Sequence, residues 1–385
     1  MTSPTLTDPR ATARELRPLI EAEAEATDRE LTLTKPLAEA FASTGMLHLC
    51  VPRDLGGSEA DTDTVLDVFE ELAYADGSVG WTLMAVAAAT AYSSFLDPAA
   101  ARELICSPES AFAGQFSPFA EVRHSNGGYR VSGDFQFGSG IAHATYGGGA
   151  GFLLGDDGQP EMLAEGVPAY TCFFVPTDGG IELRGGWDTM GLRGTGSFDY
   201  RVLEQEVDPG RTFKMFRAEV KTGGPLFGIG PVALAGLGHS GWGLGVAQRA
   251  LDEIAAIAAG GRGRMGAVPM RDHPIFQREL GQKALALRSV RLLAHDAFGS
   301  AVERLSRGEE FGPADVQALG AVTAYLTEVA EDVTLFAYRS AGSQGLRNPS
   351  TVQRCFRDFF TGGLHIFVDR RSYEEYAKPL LAGES

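Results

Sequence analysis

The chain has 385 residues, of which 44% are hydrophobic and 22% charged, and its net charge at pH 7 is −17. This length exceeds what one hydrophobic core usually serves, so two or three domains are expected. The negative charge argues against binding to nucleic acid or to an anionic membrane surface, because both repel a polyanion.

The cysteines and the N-terminal segment favour a cytoplasmic location. The four cysteines lack CxxC spacing, so neither a zinc site nor a disulfide framework is predicted, and no metal is expected. The first residues, "MTSPTLTDPRATARELRPLIEAEAEA", are polar and acidic, unlike a signal peptide. The alanine-rich run at 81–96 is shorter than a membrane span and predicts a buried helix.

The texture of the sequence changes twice along the chain, which predicts three regions. Residues 1–110 carry apolar positions at three and four spacing and are expected to form a helical domain. Residues 111–215 contain short alternating runs between turn residues, as in "GGYRVSGDFQFGSG", and predict a small barrel or sandwich. Residues 216–385 return to long amphipathic helices at 244–259, 275–305 and 313–342, as an antiparallel bundle requires.

Four motifs in this order resemble the acyl-CoA dehydrogenase superfamily, and the resemblance covers nearly the whole chain. They are "VPRDLGG", "GGYRVSGDFQFGSG", "MGLRGTGSFDY" and "AGSQGLRNPSTVQRCFRD". The resemblance implies an α+β multidomain fold with N-terminal helices, a central β-barrel and a C-terminal four-helix bundle. It also implies a flavin bound between barrel and bundle, and a homo-oligomer, usually a tetramer.

The catalytic base separates two chemistries within this superfamily. Many dehydrogenases take the α-proton of an acyl-CoA with a glutamate eight residues past the Asp of an Arg-Asp pair. Here the pair is Arg357-Asp358, which is expected to be a structural ion pair, and the count reaches Ile366, next to His365. The expected glutamate is missing from this loop, although a base from another helix stays open.

A second branch, the two-component flavin-dependent monooxygenases, is more similar. Its members place a histidine where His365 stands, and a Ser-Gly-x-x-His-Ala-x-aromatic run matches "SGIAHATY" at 139–146. This implies an enzyme that receives reduced flavin from a separate reductase and oxygenates an aromatic or polycyclic small molecule through a flavin C4a-hydroperoxide. Dioxygen would be the co-substrate, and His365 would be the general base, with Asp369 orienting it if the segment is helical.

The resemblance assigns further residues to the isoalloxazine. Ser139 stands where the family places a hydroxyl beside flavin N5, although "GSG" also suits a plain strand-end turn. Phe137 stands where dehydrogenases often have a tryptophan packed on the ring. Thr195, in "GLRGTGS", is expected to shape the loop over the cofactor. The barrel segment that contacts the flavin in relatives corresponds here to Gln115, Phe116 and Ser117.

The remaining assignments concern the distal cofactor and the substrate. Arg262 or Arg264, with Gly342, Ser343, Gln344 and Gly345, match positions that reach a neighbouring subunit's FAD pyrophosphate, which favours FAD, although FMN stays possible. Trp81 and Tyr92 are candidate substrate contacts that would equally suit a core, and His143 suits either the substrate side or a bond within the barrel.

Two other functions stay open on the sequence. One is an acyl-CoA dehydrogenase-type desaturase with a displaced base, and the other is a flavin-binding descendant without redox activity. The histidine favours the monooxygenase over the first, and the retained flavin-pocket pattern counts against the second.

Overall fold

The computed structural model describes residue 6 and residues 8–261 and 268–383. Two of the residues predicted to bind the cofactor, Arg262 and Arg264, lie outside the described residues.

Among the described residues, the N-terminal region contains five α-helices. They are α1 (Pro9–Glu30), α2 (Lys35–Thr44), α3 (Thr62–Ala75), α4 (Gly77–Ala91) and α5 (Pro98–Leu104). Helix α4 is the predicted buried helix, and its apolar residues contact protein on all sides. Asp76 caps it by accepting hydrogen bonds from the backbone N–H groups of Ser78 and Val79 at 3.0 and 3.1 Å. Among the described helices, none combines the length and apolarity needed to cross a bilayer.

The central region is a mixed sheet. Its strands are β1 (Phe112–Pro118), β2 (Glu121–Ser125), β3 (Gly128–Gly138), β4 (Tyr146–Leu154), β7 (Tyr170–Pro176), β8 (Ile181–Leu183), β9 (Phe198–Val207) and β10 (Thr212–Lys214). Hydrogen bonds connect them in the order β10-β7-β4-β2-β3-β9-β8, with β1 parallel to β4. Strands β5 (Met162–Ala164) and β6 (Val167–Pro168) form a separate hairpin, and α6 (Thr177–Gly180) is one irregular turn.

The C-terminal region contains five helices. They are α7 (Gly230–Ala259), α8 (Pro274–Ser306), α9 (Pro313–Ala341), α10 (Thr351–Gly362) and α11 (Arg371–Ala382). Helix α7 begins 14 residues before the predicted start at 244. Glycines disfavour a helix in isolation, but here they let two backbones approach, since a Cβ on Gly245 would lie 2.2 Å from the Glu70 carbonyl oxygen. Packing against α3 therefore overrides the low propensity.

The predicted fold class is confirmed: N-terminal helices, a central mixed sheet and a C-terminal helical region. The helices on both sides of the sheet share one hydrophobic core, whereas most of the sheet's buried side chains form a second, smaller core. Functional residues from all three regions can therefore meet where the two cores adjoin.

Two buried aspartates lie at the junction of the three regions. The Oδ1 of Asp358 accepts a hydrogen bond from the backbone N–H of Leu192 at 2.6 Å, and Arg354 pairs with Asp76 at 3.1 Å. The predicted ion pair between Arg357 and Asp358 is wrong, because Arg357 instead pairs with Asp28 on α1 at 3.4 Å. Burial, followed by the nearby charge of Asp76, raises the pKa of Asp358 to about 7.

The replacement Asp358→Asn is expected to change how stability depends on pH. The folded-state pKa lies above the unfolded value near 4, so the contribution of Asp358 is complete below about pH 4 and lost as pH rises through 7. The neutral amide avoids that loss. Relative to the wild type, the variant should therefore gain about 1–3 kcal/mol of unfolding free energy between pH 5 and pH 8.

The measurement is the thermal unfolding midpoint of both proteins at the two pH values. Asp156→Asn, at an exposed site, is the control and should follow the wild type. Parallel pH profiles for wild type and Asp358→Asn would contradict this account of the junction.

Candidate active site

The turn after β3 holds Ser139 against helix α4. Phe137 has a φ of +62° and Gly140 a φ of +74°, so the chain reverses sharply on both sides of the serine. A Cβ on Gly140 would lie 2.5 Å from the Cγ2 atom of Val86 on α4. Glycine is therefore required at this position both for its backbone conformation and for the close approach.

Ser139 and Trp81 form a direct link between the sheet and α4. The indole Nε1–H of Trp81 donates a hydrogen bond to the Oγ of Ser139 at 3.0 Å. The same oxygen lies 2.8 Å from the Oγ of Ser197, which follows the loop that contains Thr195. Because Trp81 is only 6% exposed, its N–H needs this acceptor. Ser139 itself is half-buried.

His365 lies in the segment between α10 and α11 and also contacts Trp81. Its ring centroid is 5.6 Å from that of Trp81, and the two planes make an angle of 65°. Burial lowers the pKa of His365 to about 4, so the imidazole is neutral at pH 7. The carboxylate of Asp369 accepts a hydrogen bond from Arg371 Nε at 2.7 Å, and the segment is a 3₁₀ turn rather than an α-helix.

The structure thus brings two predicted residues, Ser139 and His365, into contact with the indole of a third, Trp81. We call Trp81, Ser139, His365, His239 and Trp242 the Trp81 cluster. The rings of Trp81 and Trp242 meet edge to face at 4.9 Å. Gly362 permits this arrangement, since a Cβ there would lie 2.3 Å from Trp242 and 2.7 Å from Trp81. Trp81, predicted as a substrate contact, therefore joins the serine of the sheet to the C-terminal histidine.

His239 is a member of the cluster that the sequence analysis missed. It lies on α7, is fully buried, and has its ring centroid 5.7 Å from Trp81 and 6.3 Å from His365. Neither ring nitrogen has a hydrogen-bond partner among the described residues. Burial, followed by the proximity of His365, lowers the pKa of His239 to about 3. A single histidine in the run "AGLGHSGWGLG" carries no motif that would have identified it.

The surroundings of Ser139 fit a planar heteroaromatic ring. Phe137 is 57% exposed despite being apolar, and its ring meets that of Trp187 at 5.9 Å in an edge arrangement. A half-buried serine beside an exposed aromatic side chain offers a flavin both a polar partner for its ring edge and apolar contact area. The residues present therefore match the expected group.

The three β1 residues predicted to touch the flavin have different environments. The backbone N–H of Gln115 donates to the hydroxyl of Tyr200 at 2.8 Å, and its side-chain amide donates to the Oγ of Ser117 at 2.6 Å. The ring of Phe116 instead packs inward on Tyr92 and Phe174, at 5.2 and 5.7 Å. Gln115 and Ser117 are thus partly satisfied by each other, and the Phe116 side chain serves the core.

The hydrogen bonds of Tyr92 and His143 are made to residues outside the Trp81 cluster. Tyr92 is buried, donates its hydroxyl to the Pro231 carbonyl at 3.1 Å, and has a raised pKa because of burial. The Nε2 of His143 lies 2.8 Å from the Oγ1 of Thr32, and burial lowers the His143 pKa.

His143 also borders an apolar pocket of about 330 Å³ together with Thr82, Leu83 and Val86. At about 100° per residue, these three α4 residues project from a different face than Trp81. The pocket is therefore separate from the face that holds the Trp81 cluster.

The glycine-rich run predicted to reach a phosphate forms a 3₁₀ turn, Gly342–Gly345, at the end of α9. Ser343 and Gln344 are exposed. Gly342 has a φ of +53°, in the region that favours glycine. The turn is therefore accessible at the surface of this chain.

Comparison with known proteins gives a consistent family. The profile described as "Acyl-CoA dehydrogenase, N-terminal domain" matches residues 8–97, and "Acyl-CoA dehydrogenase, C-terminal domain" matches residues 237–370. The chain is 28% identical over 351 residues to an indole-3-acetate monooxygenase of Pseudomonas putida, covering 90% of this chain and 87% of the relative.

Two solved structures share the fold across nearly the whole chain. The 3-HSA hydroxylase from Rhodococcus sp. RHA1 superposes with a TM-score of 0.88 at 20% identity, covering 97% of each chain. XiaF from Streptomyces sp., solved in complex with FADH2 and glycerol, gives a TM-score of 0.87 at 19% identity, covering 97% of this chain and 95% of XiaF. The chain belongs to the acyl-CoA dehydrogenase superfamily and is similar to members of it that are flavin-dependent monooxygenases.

Proposed function

We propose that this chain is the oxygenase component of a two-component flavin-dependent monooxygenase. It inserts one oxygen atom into an aromatic or polycyclic small molecule. The observation that carries the proposal is the Trp81 cluster, in which a hydroxyl from the sheet and a neutral imidazole from the C-terminal region contact the same indole. Many acyl-CoA dehydrogenases carry their catalytic glutamate in the loop where this chain has His365.

The flavin, when bound, activates dioxygen for transfer of one oxygen atom to the substrate. Ser139 would hold the edge of the isoalloxazine through its hydroxyl, and Phe137 would pack on the ring. Gln115 and Ser117 supply polar contacts from β1. Excluding water from this site limits the loss of oxygen as hydrogen peroxide.

His365 acts as the general base toward the substrate. Because its pKa is lowered to about 4, the imidazole is neutral at pH 7, the protonation state that acts as a base. It can therefore take a proton from a phenol hydroxyl or an indole-type N–H as oxygen is transferred. General-base catalysis of this kind contributes roughly 10²–10⁴-fold in rate.

Reduced flavin comes from a separate reductase. Within the described residues the strands are joined without any helix longer than one turn, so they form no βαβ nicotinamide-binding unit. FAD is the proposed flavin. The Gly342–Gly345 turn would contact the pyrophosphate of the FAD that a neighbouring subunit binds. The proposed assembly is a homotetramer, and the exposed leucines Leu285 and Leu292, at 65% and 61% exposure on α8, support a contact between subunits there.

The proposed reaction is tested by oxygen-isotope transfer. The protein is mixed with FAD, NADH, an unrelated flavin reductase and ¹⁸O₂, with indole, indole-3-acetate and phenol as probes. Mass spectrometry should find one ¹⁸O atom in a product. Absence of labelled product, together with bleaching of bound oxidised flavin by an acyl-CoA, would contradict the monooxygenase and identify a dehydrogenase.

Removal of the Ser139 hydroxyl should uncouple oxygen consumption from product formation. In Ser139→Ala the flavin edge loses its partner and the Trp81 N–H loses its acceptor, so a larger share of the oxygen should leave as hydrogen peroxide. We expect the product formed per flavin oxidised to fall about tenfold or more, since one such hydrogen bond is worth about 1–3 kcal/mol. Peroxide and product are quantified in the same single-turnover mixture.

The matched control is Ser289→Ala, at an exposed serine on α8, which should keep the wild-type ratio. An equal yield of product per flavin oxidised in Ser139→Ala and the wild type would show that Ser139 has no role at the flavin.

The pH profile should report the lowered pKa of His365. Its neutral form is the base, so kcat/KM for an oxygenated neutral probe should stay level from pH 8 down to about 5.5 and fall only as the pH approaches 4. His365→Asn should reduce kcat/KM by about 10²–10⁴-fold and remove this acid limb. An acid limb centred near 6.5, the ordinary histidine value, would contradict the buried neutral base.

A further inference from the structure

Ser139 is one end of a chain of three hydroxyls. Its Oγ lies 2.8 Å from the Oγ of Ser197, which lies 2.6 Å from the Oγ1 of Thr195. The Oγ1 of Thr195 lies in turn 2.8 Å from the Leu192 carbonyl oxygen. Thr195 and Ser197 are buried, and only Ser139 is partly exposed. We call Ser139, Ser197 and Thr195 the hydroxyl relay.

The two ends of the hydroxyl relay fix the direction of every proton in it. A carbonyl oxygen can only accept, so Thr195 donates to Leu192. Ser197 must then donate to Thr195, and Ser139 must donate to Ser197, because each hydroxyl has a single proton. At the other end the Trp81 indole N–H can only donate, so Ser139 accepts from it.

Ser139 is left with one lone pair and no proton to offer. It can accept a further hydrogen bond, but it cannot donate one without breaking the relay. The N5 atom of a flavin differs between redox states in this respect. Reduced flavin carries a proton on N5 and donates, whereas oxidised flavin presents a lone pair there and accepts.

We propose that Thr195 and Ser197 act through Ser139 to make the site select reduced over oxidised flavin. This inference rests on the proposed function, which places flavin N5 beside Ser139. Thr195 and Ser197 are positioning residues, because they direct the Ser139 proton without touching the flavin. The selection favours binding of the reductase's product and release of the flavin after it has been reoxidised.

The test measures two dissociation constants for each protein. Oxidised FAD is titrated aerobically by flavin fluorescence, and photoreduced FAD is titrated anaerobically by protein fluorescence. In Thr195→Val the hydroxyl of Ser197 loses the acceptor of its proton and can turn that proton toward Ser139, which can then donate to oxidised N5. We expect the ratio of the oxidised to the reduced constant to fall about tenfold, roughly 30 mV in the midpoint potential of the bound two-electron couple.

Two further variants make the result specific to the hydroxyls. Thr195→Ser keeps the hydroxyl at the same buried position and should keep the wild-type ratio. Ser197→Ala removes the acceptor for the Ser139 proton and should lower the ratio as Thr195→Val does. A general loss of packing would weaken both redox forms equally and leave the ratio unchanged, which would overturn the proposal.

Ser139→Ala separates this inference from the proposed function. If Ser139→Ala changes the ratio while Thr195→Val and Ser197→Ala do not, the relay is refuted and the flavin placement stands. If Ser139→Ala changes neither constant, N5 does not lie beside Ser139, and both the placement and the relay are refuted.

Discussion

The buried indole of Trp81 needs one hydrogen-bond acceptor, and the Ser139 hydroxyl is that acceptor. Leaving an indole N–H unpaired in a protein interior costs about 1–3 kcal/mol. The Ser139 hydroxyl satisfies it at 3.0 Å, which joins helix α4 to the turn after β3. The ring of the same indole lies 5.6 Å from the ring of His365. One aromatic side chain thereby sets the position of two chemically different groups.

The buried residues Asp76, Arg354 and Asp358 support the elements that carry this arrangement. Asp76 caps the helix that carries Trp81, and Arg354 and Asp358 belong to the helix that leads to His365. The contact between Asp358 and the Leu192 backbone also fixes the start of the loop that contains Thr195. The elements that support the serine and the histidine therefore share one buried set of charges.

Much of the fold follows from local sequence signals. Helix periodicity predicted α8 and α9 within one residue at each end, because both are amphipathic along their length. The start of α7 was missed, since glycines that look like helix breakers are there to let α7 pack on α3. The Arg357-Asp358 pair was assigned wrongly because adjacent residues on a helix point in different directions, here toward α1 and toward the sheet.

The sequence predicted only part of the site, because contacts between distant parts of the chain leave no local pattern. Ser139 and His365 stand in runs that resemble a known pattern, so the sequence identified them as candidates. Their connection through Trp81, which is 58 residues from Ser139, is a tertiary contact that no local pattern encodes. Ser197 and His239 were missed because a lone small hydroxyl or a lone histidine in a glycine-rich run resembles ordinary turn or core sequence.

A crystal structure of the protein soaked anaerobically with reduced FAD would locate the flavin relative to Ser139 and His365. We expect flavin N5 at about 3 Å from the Ser139 Oγ, within hydrogen-bonding distance, with His365 facing the space beside the isoalloxazine. A flavin bound elsewhere, or one whose N5 lies out of reach of Ser139, would contradict this placement.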